Sequence, residues 1–333
     1  MRGETAWFDF IYLFSMGIAY FGTLFELYFK NDKTVLGLYI LIRHFWSLKM
    51  TTVLLDPQEL QDKMNGERVV LIDTRNPDQF AAGHIPGAVN IHDIFTFLAA
   101  STPEGIAELK DKFAKIFGEA GLSGEETAVV YEDSMNSGFG QSCRGYFLLC
   151  YLGYPKVSIL HGGFQAWQAE NLAVTTEVTR PVAAEFPLDH SADAVMVDKD
   201  DVLKAIDNED IVLLDVRDVD EWVGTSSSPY GKDFSSRKGR LPGARWLEWY
   251  RLMKPGAVPV FKSSEEVLAD CASVGINKDS HVYIYCFKGA RASNTLVALK
   301  AAGIENVKLY FGSWNEWAED EALPIETGLP YAC

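Results

Sequence analysis

The stretch Cys286-Phe287-Lys288-Gly289-Ala290-Arg291-Ala292-Ser293 brings a thiol, a glycine and two basic side chains together. It follows a strand-like run, His281-Val282-Tyr283-Ile284-Tyr285, and leads into a helical pattern from Asn294 to Ala302. A cysteine at a strand end, wrapped by a loop that enters a helix, meets converging backbone N–H groups and the positive end of the helix dipole. Lys288 and Arg291 add two formal positive charges. All of these favour thiolate over thiol, and they would also hold a negatively charged sulfur or an incoming oxyanion. The chemistry that fits is nucleophilic catalysis by Cys286. Lys288 and Arg291 would bind substrate, and Phe287, Gly289, Ala290 and Ala292 would form the loop around the sulfur. The competing reading is a buried structural cysteine beside two solvated basic residues.

The chain that positions this loop has 333 residues, enough for two domains. Its 48% hydrophobic and 23% charged content is that of a globular protein with a substantial core. The net charge of -16 argues against nucleic acid as a partner, because a phosphate backbone selects basic surfaces. It leaves small anionic substrates open, since a cationic pocket can sit inside an acidic protein. The five cysteines are Cys143, Cys150, Cys271, Cys286 and Cys333. Their number is odd, and their spacing fits neither a zinc site nor a CxxC pair, so no metal is expected. Cys143, Cys150 and Cys271 read as small buried hydrophobes and Cys333 as an inert tail.

Residues 1–50 differ from the rest. No charge occurs from Phe10 to Phe25, and a second apolar run spans Thr34 to Ile42. A bilayer span needs about 20 apolar residues. The first run is borderline and the second short. The start, with Arg2 and Glu4, lacks the form of a secretory signal. This extension reads as membrane-associating, which favours a membrane-bound or exported protein over a cytoplasmic one. A helical extension packed on the soluble domains is the alternative.

The remainder is one pattern written twice. The first copy contains Val69-Val70-Leu71-Ile72-Asp73-Thr74-Arg75, then Gly83-His84-Ile85-Pro86-Gly87-Ala88. The second contains Ile211-Val212-Leu213-Leu214-Asp215-Val216-Arg217, then Gly239-Arg240-Leu241-Pro242-Gly243-Ala244. Each goes on to a strand-like run (Thr127 to Tyr131, His281 to Tyr285) and a helix-like run ending in glycine (Gly153, Gly303). Each closes on a short apolar strand with an aromatic turn, Val157 to Trp167 and Val307 to Trp317. Short apolar runs alternating with helical segments predict buried parallel strands with crossover helices on both faces of each sheet. The expected α/β domains span 51–175 and 195–330. The segment 176–194, with Pro181 and Pro187, reads as a linker.

These motifs carry a resemblance. The repeated Asp-x-Arg, the two Gly-x-x-Pro-Gly-Ala motifs and the cysteine loop after a strand resemble the tandem-domain rhodanese family of thiosulfate and mercaptopyruvate sulfurtransferases. The resemblance covers about 51–330. It implies a first domain without catalysis, in keeping with Glu132-Asp133 standing where the second copy has Cys286. It implies that Cys286 carries sulfur as a persulfide, that Lys288 matches a loop lysine of thiosulfate-using members, and that Arg217 assists anionic substrate binding. An arginine paired with Asp215 or Glu221 for structural reasons is the other reading of Arg217. The stretch from Glu221 to Thr225, continued from Lys238 to Ala244, resembles the edge of the active-site mouth. Trp246, Trp249 and Trp314 read as packing residues. Phe287 and Arg291 depart from the common loop pattern, which leaves substrate choice less firmly fixed than reaction type.

The expected reaction moves sulfur from thiosulfate through a Cys286 persulfide to a thiol or cyanide, with no organic cofactor. Three alternatives stand beside it. Mercaptopyruvate could be the donor, although Lys288 favours thiosulfate. A rhodanese-like sulfur carrier would exchange sulfur with partner proteins and turn over little small-molecule substrate. A phosphatase on the same fold needs Cys-x5-Arg, and the spacing from Cys286 to Arg291 is one residue short.

Overall fold

The computed structural model describes residues 52–97, 101–189 and 195–329. The extension 1–50, the membrane reading placed on it and Cys333 lie outside the described residues. Among the described residues no helix is long and apolar enough to cross a membrane.

The first domain is a parallel sheet in the order β1-β5-β4-β2-β3. Its strands are β1 (Leu54–Leu55), β2 (Val69–Asp73), β3 (Val89–Asn90), β4 (Thr127–Tyr131) and β5 (Val157–Leu160). Helices α1 (Pro57–Gly66), α2 (Pro77–Ala82), α3 (Asp93–Thr96), α4 (Pro103–Glu119), α5 (Gln141–Tyr151) and α6 (Gly163–Ala169) connect or follow them. Local chemistry sets several helix starts. Asp56 and Glu59 form a capping box around α1, and the Thr102 hydroxyl caps α4 ahead of Pro103.

The second domain repeats the topology in the order β6-β12-β11-β7-β8. Its strands are β6 (Met196–Val197), β7 (Ile211–Asp215), β8 (Arg245–Trp246), β11 (His281–Tyr285) and β12 (Val307–Tyr310). A small antiparallel hairpin, β9 (Met253–Lys254) and β10 (Val260–Phe261), is added. The helices are α7 (Lys199–Ala205), α8 (Val219–Trp222), α9 (Ser264–Ala272), α10 (Ala290–Ala301) and α11 (Ser313–Trp317). The aromatic turns expected near Trp167 and Trp317 are therefore helices, α6 and α11.

Strand alternation sorts the core into layers. Ala128 and Val130 of β4, Val212 and Leu214 of β7, and Val282 and Ile284 of β11 join one continuous cluster that runs through both domains. Val129 and Tyr131 face a separate cluster in the first domain, and Leu213, Tyr283 and Tyr285 one in the second. The shared layer is built where α5 packs on α10, with Phe147 stacked on Phe311 at 5.9 Å. Residues 176–189 form no helix or strand, yet they are pinned to the first domain. Ala184 N–H donates to Gly118 C=O, and buried Phe186 stacks on Tyr154.

Candidate active site

Cys286 directly follows β11, and the period of two turns its side chain toward the layer shared by the two domains, while Phe287 turns to the outer cluster. The Cys286 N–H donates to Ser313 Oγ at 3.2 Å, and that hydroxyl donates to Tyr310 C=O. The Cys286 carbonyl accepts from Trp314 N–H at 3.0 Å. Gly289 N–H donates to Cys286 Sγ at 3.0 Å. Gly289 has φ of 85° and turns the chain directly into α10. The helix thus begins at Ala290 rather than at Asn294, and Ala290, Arg291 and Ala292 form its first turn instead of a loop.

The loop is more buried than its two basic residues suggest. Cys286 and Phe287 are each 1% exposed. Arg291 is also buried, and its guanidinium donates to Glu221 at 2.6 and 3.0 Å and pairs with Asp218 at 3.2 Å. Burial works against the Arg291 charge, but the Glu221 hydrogen bonds and carboxylate charge outweigh it and raise the pKa. Its field also reaches the Cys286 sulfur. Asp218, Asp220 and Glu221 could offer oxygens to a cation, but two of them hold Arg291. Lys288 is half-buried, with its ammonium 5.3 Å from the Tyr230 and Phe234 rings and 5.6 Å from Phe287. A groove of about 760 Å³ lined by Trp222, Arg240, Trp246 and Val274 contains no residue of the 286–292 segment.

Arg217 is committed to architecture. It grips Asp215 through Nε and Nη2, donates to Gly239 C=O at 2.7 Å, and lies over the Trp314 ring. Tyr285 OH donates to Asp215 and accepts from Leu241 N–H. The first domain repeats this arrangement. Arg75 grips Asp73, donates to Gly83 C=O and lies over Phe164, and Tyr131 OH accepts from Ile85 N–H. The paired motifs are thus one network that ties the Asp-x-Arg strand to the Gly-x-x-Pro-Gly turn. Because the copy with Glu132 in place of Cys286 has it too, the network explains Arg217 as a structural residue, and its expected contact with a donor anion does not follow from this geometry. Arg217 Nη1 is buried without a hydrogen-bond partner. The corresponding Arg75 Nη1 has Asp133 at 3.9 Å, at the position that Phe287 takes in the second copy. Between arginine and glycine the copies diverge. Gly83 comes 8 residues after Arg75, Gly239 comes 22 after Arg217, and the extra residues carry Tyr230 and Phe234.

Trp314 is fully buried and Trp249 nearly so, and Trp246 stacks on Trp222 while donating to Arg217 C=O. All three are packing residues, as expected. In the first domain, Glu132 stands where Cys286 stands in the second. It is fully buried, and Ser142 Oγ donates to its carboxylate at 2.7 Å. Burial pushes the Glu132 pKa up to about 7 against the opposing hydrogen bonds from the Ser142 hydroxyl and N–H. Sequence reasoning passed over two residues that complete the site. Glu221, read from the sequence as part of the mouth segment or as a structural partner of Arg217, pairs with Arg291 instead. Arg144, in α5 of the first domain, is fully buried and donates to Lys288 C=O at 2.8 Å and to Phe97 C=O at 3.0 Å. The one available signal was an arginine within the otherwise apolar run that continues Gly145-Tyr146-Phe147-Leu148-Leu149.

Comparison with known proteins places the fold in a family. The rhodanese-like domain family matches the chain twice, over residues 56–170 and 198–320. A thiosulfate sulfurtransferase of Pseudomonas aeruginosa is 30% identical over 82% of this chain and 97% of its own length. A sulfur carrier protein, TtuD of Thermus thermophilus, is 31% identical over 79% of this chain and 89% of its own. A solved structure of EanB, bearing a cysteine persulfide and with ergothioneine, superposes with a TM-score of 0.72 at 26% identity, covering 84% of this chain and 71% of that one. Two rhodanese-like domains in tandem, with the cysteine in the second and a buried carboxylate at its position in the first, make the chain a member of the tandem-domain rhodanese family.

Proposed function

We propose that this protein is a thiosulfate-using sulfurtransferase that carries sulfur on Cys286. The observation that carries the reading is the contrast between copies. The same strand end holds Glu132 in one and, in the other, a thiol with Gly289 N–H on its sulfur and two arginines within electrostatic reach. The Cys286 thiolate attacks the outer sulfur of thiosulfate. The sulfur–sulfur bond of the donor breaks, sulfite leaves with the bonding pair, and the terminal sulfur remains on Cys286 as a persulfide anion. An acceptor thiolate or cyanide then attacks that terminal sulfur and returns Cys286 as thiolate. The Gly289 N–H and the fields of Arg144 and Arg291 stabilise the anion in both states. Lys288, the half-buried cation of the loop, meets the dianionic donor.

The relatives support sulfur transfer, and Lys288 supports thiosulfate over mercaptopyruvate. A second reading, a sulfur carrier that serves a partner protein, is favoured by the Thermus relative's name and by two exposed aromatic rings at the loop. Tyr230 and Phe234 are 61% and 54% exposed beside Lys288. Intact-protein mass spectrometry after separate exposure to thiosulfate and mercaptopyruvate tests the proposal. Thiosulfate should add one sulfur to the wild type and none to Cys286→Ser. A mass gain that survives in Cys286→Ser sinks the assignment. Loading by thiosulfate without turnover onto cyanide selects the carrier.

A further inference from the structure

The peptide between Lys288 and Gly289 makes two hydrogen bonds that bear on the sulfur. Its N–H, on Gly289, donates to Cys286 Sγ at 3.0 Å. Its C=O, on Lys288, accepts from Arg144 Nη1 at 2.8 Å. The C=O and N–H of a planar trans peptide point in opposite directions, so whatever fixes the carbonyl also aims the N–H. Gly289 lacks a Cβ and sits at φ of 85°, where the local backbone restrains that peptide weakly. Resting on the assignment of Cys286 as the sulfur carrier, we propose that Arg144 of the first domain is a positioning residue for sulfur transfer. It pins the Lys288–Gly289 peptide so that the N–H stays on the sulfur.

Three observations support the role. A cationic donor on the carbonyl polarises the peptide and strengthens its N–H as a donor. Arg144 also stays charged at a cost. It is 1% exposed, its Nε has no partner, and burial pushes its pKa down to about 10, with the Cys286 charge opposing that fall. A residue needed only for packing would avoid that penalty. Finally, the domains are docked at this point by other contacts. Gly140, at the start of α5, lies so close to α10 that a Cβ there would meet Ala290 O and Asn294 Cβ at 2.9 Å. Asn294 Nδ2 donates to Met135 C=O, and Phe147 stacks on Phe311. Arg144 is thus one contact among several in the interface and the one that touches the sulfur's own peptide. Arg144 from α5 and Arg291 from α10 interact electrostatically with Cys286, the latter held by Glu221 and Asp218 of the α8 segment, and Lys288 is the further cation of the loop. The first domain, which has Glu132 at the strand end where the second has Cys286, thereby acts on the chemistry of the second.

The test compares full-length Arg144→Met, Arg144→Lys and Phe147→Leu with the wild type. The readouts are the pH dependence of Cys286 alkylation by iodoacetamide, turnover of thiosulfate with cyanide, and melting temperature. Arg144→Met should lower kcat roughly tenfold or more. Its KM for thiosulfate should stay within about twofold, as for a group that acts through the sulfur rather than by binding the donor. The pH of half-maximal alkylation should rise. Arg144→Lys, with a charge that can reach one carbonyl, should recover part of both effects. Phe147→Leu should lower the melting temperature and leave the alkylation profile where it is. A folded Arg144→Met with wild-type profile and kcat overturns the proposal, and so does a Phe147→Leu that shifts the profile equally. If Arg144→Met does not fold, a wild-type profile in Arg144→Lys overturns it. Failure of the Cys286 assignment shows separately, as sulfur retained by Cys286→Ser.

Discussion

Replacing Glu132 with glutamine should make the stability of this protein less sensitive to a rise in pH from 5 to 8. Glu132 is buried where the second copy has Cys286, and one of its oxygens, Oε2, has no hydrogen-bond partner. Burial moves its pKa from 4.5 to about 7. The folded state therefore holds the proton more tightly than the unfolded chain does. The stability that goes with the protonated form is fully present below pH 4.5 and is lost as pH rises through about 7. At about 1.4 kcal/mol per pH unit, the loss is roughly 3 kcal/mol. Glutamine can accept the Ser142 bonds on its carbonyl and has no charge to bury. Its unpartnered amide group costs the same at every pH, so it cancels when the two proteins are compared across pH. Urea denaturation followed by tryptophan fluorescence at pH 5 and pH 8 measures the difference. Glu132→Gln should gain roughly 2–3 kcal/mol on the wild type between these values, or about 5 °C in melting temperature. A stability difference that is flat across this range refutes the reasoning and implies that Glu132 is already ionised at pH 5 in the folded protein.

Two more expectations follow from the second domain. Arg291→Met leaves Glu221 buried and unpaired, while Asp218, whose side chain is 40% exposed, can turn to water. The loss should be about 3 kcal/mol in chemical denaturation, the lower end for a broken buried pair. A loss below about 1 kcal/mol would show that the pair is open in solution. Lys288→Ala removes an ammonium that lies against three rings and should cost only about 0.5–1 kcal/mol of stability. It should raise the KM for thiosulfate several-fold, and an unchanged KM would remove Lys288 from donor binding.

The fold was legible because the chain states it twice. Strand runs such as Ile211-Val212-Leu213-Leu214-Asp215 and the glycines after each long helix are local signals, and both copies agree on them. The Asp-x-Arg motif was legible as a repeated feature but not as to its role, since its partners Tyr285 and Trp314 come from a distant strand and a distant helix. The start of α10 was misplaced because the left-handed turn at Gly289 permits a helix four residues earlier than the apolar pattern shows. The ion pair of Arg291 with Glu221, 70 residues apart, and the bond from Arg144 to Lys288, 144 apart, have no local signature. Sequence spacing identifies the loop that holds the thiol. It does not identify the charges that the fold brings to that loop from elsewhere.

The Glu221–Arg291 pair bears on how this loop handles a dianion. A free arginine five positions after the cysteine would offer a full charge to thiosulfate and would bind sulfite as readily as it left. Paired with two carboxylates, Arg291 has its hydrogen-bonding face occupied, yet its field still reaches Cys286. The pairing leaves Lys288 as the cation of the loop best placed to meet a donor and Gly289 N–H as the group fixed on the sulfur. Under the proposed function, donor recognition and anion stabilisation fall to different residues. Variants at Lys288 should act mainly through KM, and variants that disturb the Gly289 peptide mainly through kcat. If Lys288→Ala and Arg144→Met instead change the same parameter in the same proportion, the separation of roles fails, even with Cys286 confirmed as the nucleophile.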